Sequence, residues 1–418
     1  MGLGWHSICI DKEIVKLSEN QMSKLLMITI ELPYPPTSGG RMKSWNMLKF
    51  FTNHFDVSLV SPLKYGTSEL ERFHKNVDLD AFYSDAVEVP RTGVNLAKSY
   101  LKSVPLNVYR SCSEDLKARV NQIADQFDVI VLDHYESFQY LPSNYKGKVI
   151  LHTHNATFLM WERYANGDGG YAMRFASALE AKRVRAYERS ACQRADLVFA
   201  SPNDIEQLSG LGVGLDKFRE TYHLGDDSQL SLPSVVFKET EKRLLYVGTL
   251  SWEANVDGLV WFLESVWPQV KAKHCDLQFD IAGGNPDKRI VDAAMDLEGV
   301  NLLGFVEDLE PLFCRSRLFM APLRFGSGIK VKVLNTMCRG VPVVTTSVGA
   351  EGIAAEHLVH LTINDDADGM VASINQLLED EATWNKIERE SRQLIRDRYT
   401  WAKVLGYMVD EIEGLIKS

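Results

Sequence analysis

The chain has 418 residues, 45% of them hydrophobic and 24% charged, which exceeds what one core usually organises and predicts two large globular domains. Its 46 Lys and Arg against 56 Asp and Glu give a formal net charge of −10. That sign excludes a protein built to cover phosphate backbones of nucleic acid, although a small phosphorylated ligand needs only a helix N-terminus and a cation or two.

Residues 1–21 read as an N-terminal extension. Asp11, Glu13 and Glu19 interrupt them where a signal peptide needs an apolar stretch, and no apolar run in the chain reaches the ~18 residues of a membrane span. Six scattered cysteines, Cys9, Cys112, Cys192, Cys275, Cys314 and Cys338, form no C-x-x-C pair and no zinc spacing, so a reduced, cytoplasmic chain is expected. The first strand falls at 25–30, followed by a Pro/Gly loop at 32–40, a helical stretch at 41–53 and a strand at 57–60. Further apolar runs at 129–132, 149–152 and 197–200 alternate with longer helical patterns, which predicts parallel βα units and one Rossmann-like domain over 22–225. A polar segment near 223–240 separates it from a second such domain, 241–385, with strands near 244–247, 278–282, 300–303, 318–321 and 342–345. From 386 to 418 the pattern is helical, with an aromatic break at Tyr399-Thr-Trp401.

Open α/β sheets bind ligands beyond the carboxyl ends of their strands, and four stretches fall there. Pro33-Tyr-Pro-Pro-Thr-Ser-Gly-Gly-Arg41 offers unobstructed backbone N–H groups and a helix N-terminus to a phosphate, or is a plain βα turn. His152-Thr-His-Asn155 puts two histidines on one side of a strand, a metal-binding pattern with no third ligand at recognisable spacing; polar site residues or satisfied structural groups are the alternative. Phe325-Gly-Ser-Gly-Ile-Lys330 opens a helix and adds a full positive charge to glycine N–H groups, which suits a diphosphate. Gly340-Val-Pro-Val-Val-Thr-Thr346, with Gly349-Ala-Glu-Gly352 after it, reads equally well as a turn into a buried strand. Asp78-Leu-Asp80 has the form of a metal-binding D-x-D pair but sits in a polar segment and reads as chance.

These motifs resemble the retaining GT-B glycosyltransferases of family 4, especially bacterial sugar transferases of surface-polysaccharide pathways. The resemblance rests on Tyr246-Val-Gly-Thr-Leu-Ser-Trp-Glu-Ala-Asn-Val-Asp257, Ile281-Ala-Gly-Gly-Asn285, Gly304-Phe-Val306 and the run from Ala321 to Gly352. It extends more loosely to the Ser38-Gly-Gly-Arg41 turn, His154-Asn155 and the Trp401 helix. It implies an α/β GT-B fold: two doubly wound Rossmann-like domains facing a cleft, acceptor side first and donor side second, with the C-terminal helices crossing back to the first. It implies transfer of a sugar from a nucleoside-diphosphate sugar to a carbohydrate or lipid-linked acceptor, with retention and without metal or other cofactor. Gly39, Gly40 and Arg41 would lie against the donor phosphates, and His154 would approach the transferred sugar. Gly248, Thr249 and Asn255 belong to the donor side, and Val306 would meet the base through its backbone. Gly326, Ser327, Gly328, Ile329 and Lys330 would hold sugar and diphosphate, with His154 and Lys330 as catalytic candidates.

Two positions depart from the family's pattern of paired glutamates: Ser327 and Asn335 stand where both would be acidic. Asn335 is expected within reach of the donor ribose, a weaker acceptor there than Glu. The basic residue usual after the Val247-Gly248 strand end is also missing. These departures keep open a catalytically degenerate GT-B protein that binds a nucleotide-sugar or a partner; a sugar-nucleotide epimerase is a further alternative. The stretch 91–110 interleaves Arg91, Lys98, Lys102 and Arg110 with Leu96, Tyr100, Leu101 and Val104. It reads as a solvated helix over the acceptor cleft or as a peripheral contact with the inner face of a membrane.

Overall fold

A computed structural model describes residues 22–64, 68–166, 170–222, 224–326 and 328–418; the expected N-terminal extension lies outside the described residues. The first seven strands are β1 (Lys24–Ile28), β2 (Asp56–Leu63), β3 (Ala81–Ala86), β4 (Val129–Asp133), β5 (Lys148–His152), β6 (Leu197–Ala200) and β7 (Phe218–Glu220). They form one parallel sheet in the order β3-β2-β1-β4-β5-β6-β7. Six more follow: β8 (Glu241–Val247), β9 (Gln278–Ala282), β10 (Val300–Gly304), β11 (Ser316–Ala321), β12 (Val343–Thr345) and β13 (Thr362–Ile363). Their sheet is also parallel, in the order β10-β9-β8-β11-β12-β13. Both sheets thus reverse direction next to their first strand, between β1 and β4 and between β8 and β11. At such a switch point the flanking loops diverge and leave a crevice.

Central strands are apolar on both sides because helices cover both faces. Leu26, Ile28, Ile130, Leu132, Val149 and Leu151 point into one core, and Leu25, Met27, Val129, Val131 and Ile150 into the other. The second core is completed from the far end of the chain. Helix Trp401–Lys417 lays Leu405, Met408, Val409 and Ile412 onto it, and Arg219 in β7 is paired with Glu411 on that helix. The expected return of the C-terminal helix to the first domain is therefore seen.

Three strands differ from the sequence reading. β3, β7 and β13 were not expected; β3 and β13 are sheet edges and β7 is a three-residue edge strand. Edge strands are short or half-polar, so the apolar run that marks a buried strand is absent. The Gly39-Gly40 pair lies inside helix Gly39–Phe51, whose N-cap is Ser38, and not in a loop ahead of it. The 91–110 stretch is two helices, Gly93–Leu101 and Leu106–Arg110, not one. Ser103 turns between them with φ of 55°, and Pro105 caps the second, a place where its missing N–H costs nothing.

Ile412 is fully buried, so Ile412→Ala should destabilise the first lobe by about 2–5 kcal/mol. Calorimetry should show that lobe's transition moving down while the second lobe's stays. An unchanged first transition would mean that the returning helix is not part of its core.

Candidate functional site

The switch points of the two sheets face each other, and each carries a buried polar cluster. On the first lobe, β4 and β5 end side by side in Asp133 and His152. Asp133 Oδ1 lies 2.7 Å from His152 Nδ1 and 2.8 Å from His154 Nε2, and Oδ2 accepts from the Ser44 hydroxyl. His134, with φ of 71°, stacks its ring on that of His154 at 3.6 Å. Lys43, 1% exposed, completes the cluster from helix Gly39–Phe51. Gly40 of this helix lies against the His154 ring, where a Cβ would make ordinary contact at 3.5 Å.

Burial dominates the electrostatics. It lowers both His152 and His154 to about 4, and Lys43 to about 7 despite the attraction of Asp133 and Asp204. Burial by itself would raise Asp133. The adjacent His154 and the hydrogen bonds from both rings more than offset that and hold the carboxyl well below its usual range. The cluster is thus an ionised carboxylate between neutral imidazoles, with a lysine whose charge is easily lost. Asp133, His152 and His154 also bring three potential ligand atoms within 4.8 Å, so the fold supplies the third group that the histidine spacing lacked. A cation held there would face the Lys43 amine, which the carboxylate already attracts.

On the second lobe, the loop before helix Val331–Arg339 turns through Gly326 and Gly328 with φ of 130° and 76°, a conformation that only glycine adopts without strain. Lys330 follows at the N-cap. Its Nζ lies 2.5 Å from Gly328 O and 3.3 Å from Glu351 Oε2. Glu351 Oε1 in turn accepts from Asn203 Nδ2 of the first lobe at 2.7 Å, so the glycine loop is tied across the cleft. Lys332, two residues further, points inward. It donates to Tyr246 Oη and Asn255 Oδ1, both at 2.7 Å, while Asn255 Nδ2 holds Thr249 O at 2.8 Å. Burial lowers Lys332 to about 7, and Lys330 nearby adds to the shift.

A cavity of about 720 Å³ lies between the lobes, lined by Gly248, Thr249, Asn255, Gly326, Ile329, Lys330 and Lys332 from the second and by Asn155, Met160, Arg163 and Asp204 from the first. Six expected donor-side residues are therefore brought to one wall. Gly328 belongs to the same loop, and Ser327 lies outside the described residues. Gly40 and His154 sit at the first lobe's cluster, Gly39 and Arg41 belong to the same helix as Gly40, and none of the four lines this cavity; Arg41 Nη2 is 2.9 Å from Glu31 Oε2. Val306 follows β10 and lines neither this cavity nor the next. Asn335 lines a neighbouring cavity of about 410 Å³, and its Oδ1 accepts from the Asp226 backbone N–H at 2.9 Å.

The sequence reading missed Asp133, Lys43, Tyr246 and Lys332. An acidic residue closing the apolar run 129–132 was a usable signal for Asp133, because strand ends in such sheets face the ligand. Nothing local marks Lys332 over Lys330, since which of the two turns inward depends on how the helix sits on β8.

Between pH 6.5, the ordinary imidazole value, and about 4, His152 and His154 each hold fewer protons than in the unfolded chain. Both therefore subtract stability as pH falls through that window. An imidazole NMR titration should find both rings neutral down to pH 5; a midpoint near 6.5 for either would contradict the burial of the cluster.

Comparison with known proteins places this geometry. Residues 241–380 match the family described as Glycosyl transferases group 1. An uncharacterized 44.6 kDa protein in the cps region of Klebsiella pneumoniae is 24% identical over 408 residues, 93% of this chain and 100% of that one. O-antigen chain mannosyltransferase B of Escherichia coli is 26% identical over 168 residues, 38% of this chain and 42% of that protein. The crystal structure of HepE of Anabaena in complex with UDP-glucose superposes with a TM-score of 0.60 at 15% identity, covering 94% of this chain and 100% of that one. The chain has the two-lobed GT-B fold, and its second lobe matches the group 1 glycosyl transferases.

Proposed function

We propose that this chain moves a sugar from a nucleoside-diphosphate sugar to a carbohydrate or lipid-linked acceptor, with retention of configuration and without a metal ion. The carrying observation is the cavity between the lobes, where the Gly326–Lys330 loop, the N-terminus of the helix after it and two lysines converge on one wall. Backbone N–H groups and ammonium groups are what a leaving diphosphate requires as negative charge develops on it, so the site itself can supply the stabilisation that a metal gives elsewhere. The acceptor enters from the first lobe. In a front-face reaction the leaving phosphate takes the acceptor hydroxyl's proton, so no separate base is needed.

The relatives favour assembly of a surface polysaccharide, since one lies in a cps region and another is an O-antigen chain mannosyltransferase. A membrane-bound, lipid-linked acceptor suits the exposed Val94 and Leu101 beside Lys98 and Lys102 on helix Gly93–Leu101. A peripheral contact at the inner face of a membrane is part of this reading.

A second reading, a GT-B protein that binds a donor without turning it over, is favoured by Asn335, whose acceptor oxygen is engaged by Asp226. Incubation with uridine- and guanosine-diphosphate sugars, followed by detection of released nucleotide and product anomer, separates the two. Turnover with retention is expected, and it should survive excess EDTA. Loss of turnover restored by manganese or magnesium would refute the metal-free part and point to Asp133, His152 and His154. Donor binding with no turnover of any donor would establish the degenerate reading.

A further inference from the structure

Lys332 is a buried amine held by neutral partners. Its two acceptors are a phenol and an amide, Tyr246 Oη and Asn255 Oδ1, and it stands 4.4 Å from the centre of the Tyr246 ring. The charged group that acts on it is another lysine, Lys330. Acids do line the two cavities it borders, Asp204 and Glu253 beside Arg163 on one side and Asp226, Glu307, Asp308 and the Arg339-paired Glu310 on the other. None of them forms an ion pair with it among the described residues. Lys330, by contrast, has a carboxylate partner in Glu351. A buried ammonium without a counter-ion is costly, and natural proteins keep one where a ligand brings the missing charge.

Its position fits that use. Lys332 borders both the cleft cavity and the cavity beneath it, and a Cβ on Gly248 would stand 3.3 Å from Nζ. The glycine thus leaves the amine uncovered at the end of β8. Resting on the transferase reading, we infer that Lys332 is the cation that meets the diphosphate of the donor, and that it takes up a proton from solvent when the diphosphate arrives. Lys330 serves instead to tie the glycine loop to Glu351 and, through Asn203, to the first lobe.

The proton balance is simple. Burial leaves the empty site's amine near pKa 7, so above that pH it is mostly R–NH2. A diphosphate at contact favours the charged form, R–NH2 gains H⁺ to become R–NH3⁺, and the buffer supplies the proton. No bond to the ligand forms or breaks.

The test uses whichever nucleoside diphosphate binds the full chain most tightly, among those of uridine, guanosine, adenosine, cytidine and thymidine. Calorimetry at pH 8.5 in buffers of different ionisation enthalpy counts the protons taken up. Wild type should gain a large fraction of one proton. Lys332→Met should lose that uptake and bind about 10- to 100-fold more weakly, while a retained cooperative thermal transition shows that the variant folds. Lys330→Met should keep most of the uptake. Unchanged affinity, or undiminished uptake, in Lys332→Met would overturn the inference and leave the transferase reading standing. Failure of every nucleoside diphosphate to bind wild type would overturn both.

Discussion

Trp401 fastens the two passages of chain between the lobes to each other. Its indole N–H donates to Gly225 O at 2.9 Å and its backbone N–H to the Asp227 carboxylate at 2.7 Å, so the outgoing linker and the returning helix meet at one residue. Tyr222 and Tyr399 pack edge to face beside it. The linker is then bound to the second lobe: Asn335 accepts from Asp226, and Arg392 donates to Leu230 O, Leu232 O and the Ser234 hydroxyl. Residues 226–234 accordingly travel with the second lobe.

This arrangement gives Asn335 a physical reason. A Cβ on Gly225 would stand 1.6 Å from its side-chain oxygen, so linker and helix meet with no spare room. A Glu at 335 is one methylene longer and brings a full charge to a place where one neutral acceptor already satisfies one N–H. The neutral residue at 335 therefore goes with the close meeting of linker and helix.

The two lobes carry their charge differently. Asp133 on the first holds a negative charge among neutral imidazoles and keeps Lys43 close; on the second, Lys332 forms no ion pair among the described residues. Asn203, Glu351 and Lys330 bridge the gap, so the position of the glycine loop and the closure of the lobes depend on each other.

Much of this was legible in the sequence where the signal is local. Buried central strands announce themselves as apolar runs, and Gly326 and Gly328 mark a loop that needs positive φ. The edge strands β3, β7 and β13 were not legible, because half-exposed backbone imposes no apolar pattern. Side-chain direction was the other loss. Lys330 and Lys332 are two apart and chemically identical, and only packing on β8 turns one to Glu351 and the other to Tyr246. Asp133 reaches its partners across strands joined by long crossovers, a juxtaposition that spacing cannot show.

Hydrogen exchange read by mass spectrometry, with and without a saturating nucleoside diphosphate, tests most directly whether the donor lies where the two lobes meet. The account predicts slowed exchange in 246–256 and 324–335, with a smaller effect at 203 and 351 as the lobes draw together, and none in the helices 93–110. Protection confined to the first lobe, or no change in either second-lobe segment while the nucleotide is bound, would contradict it.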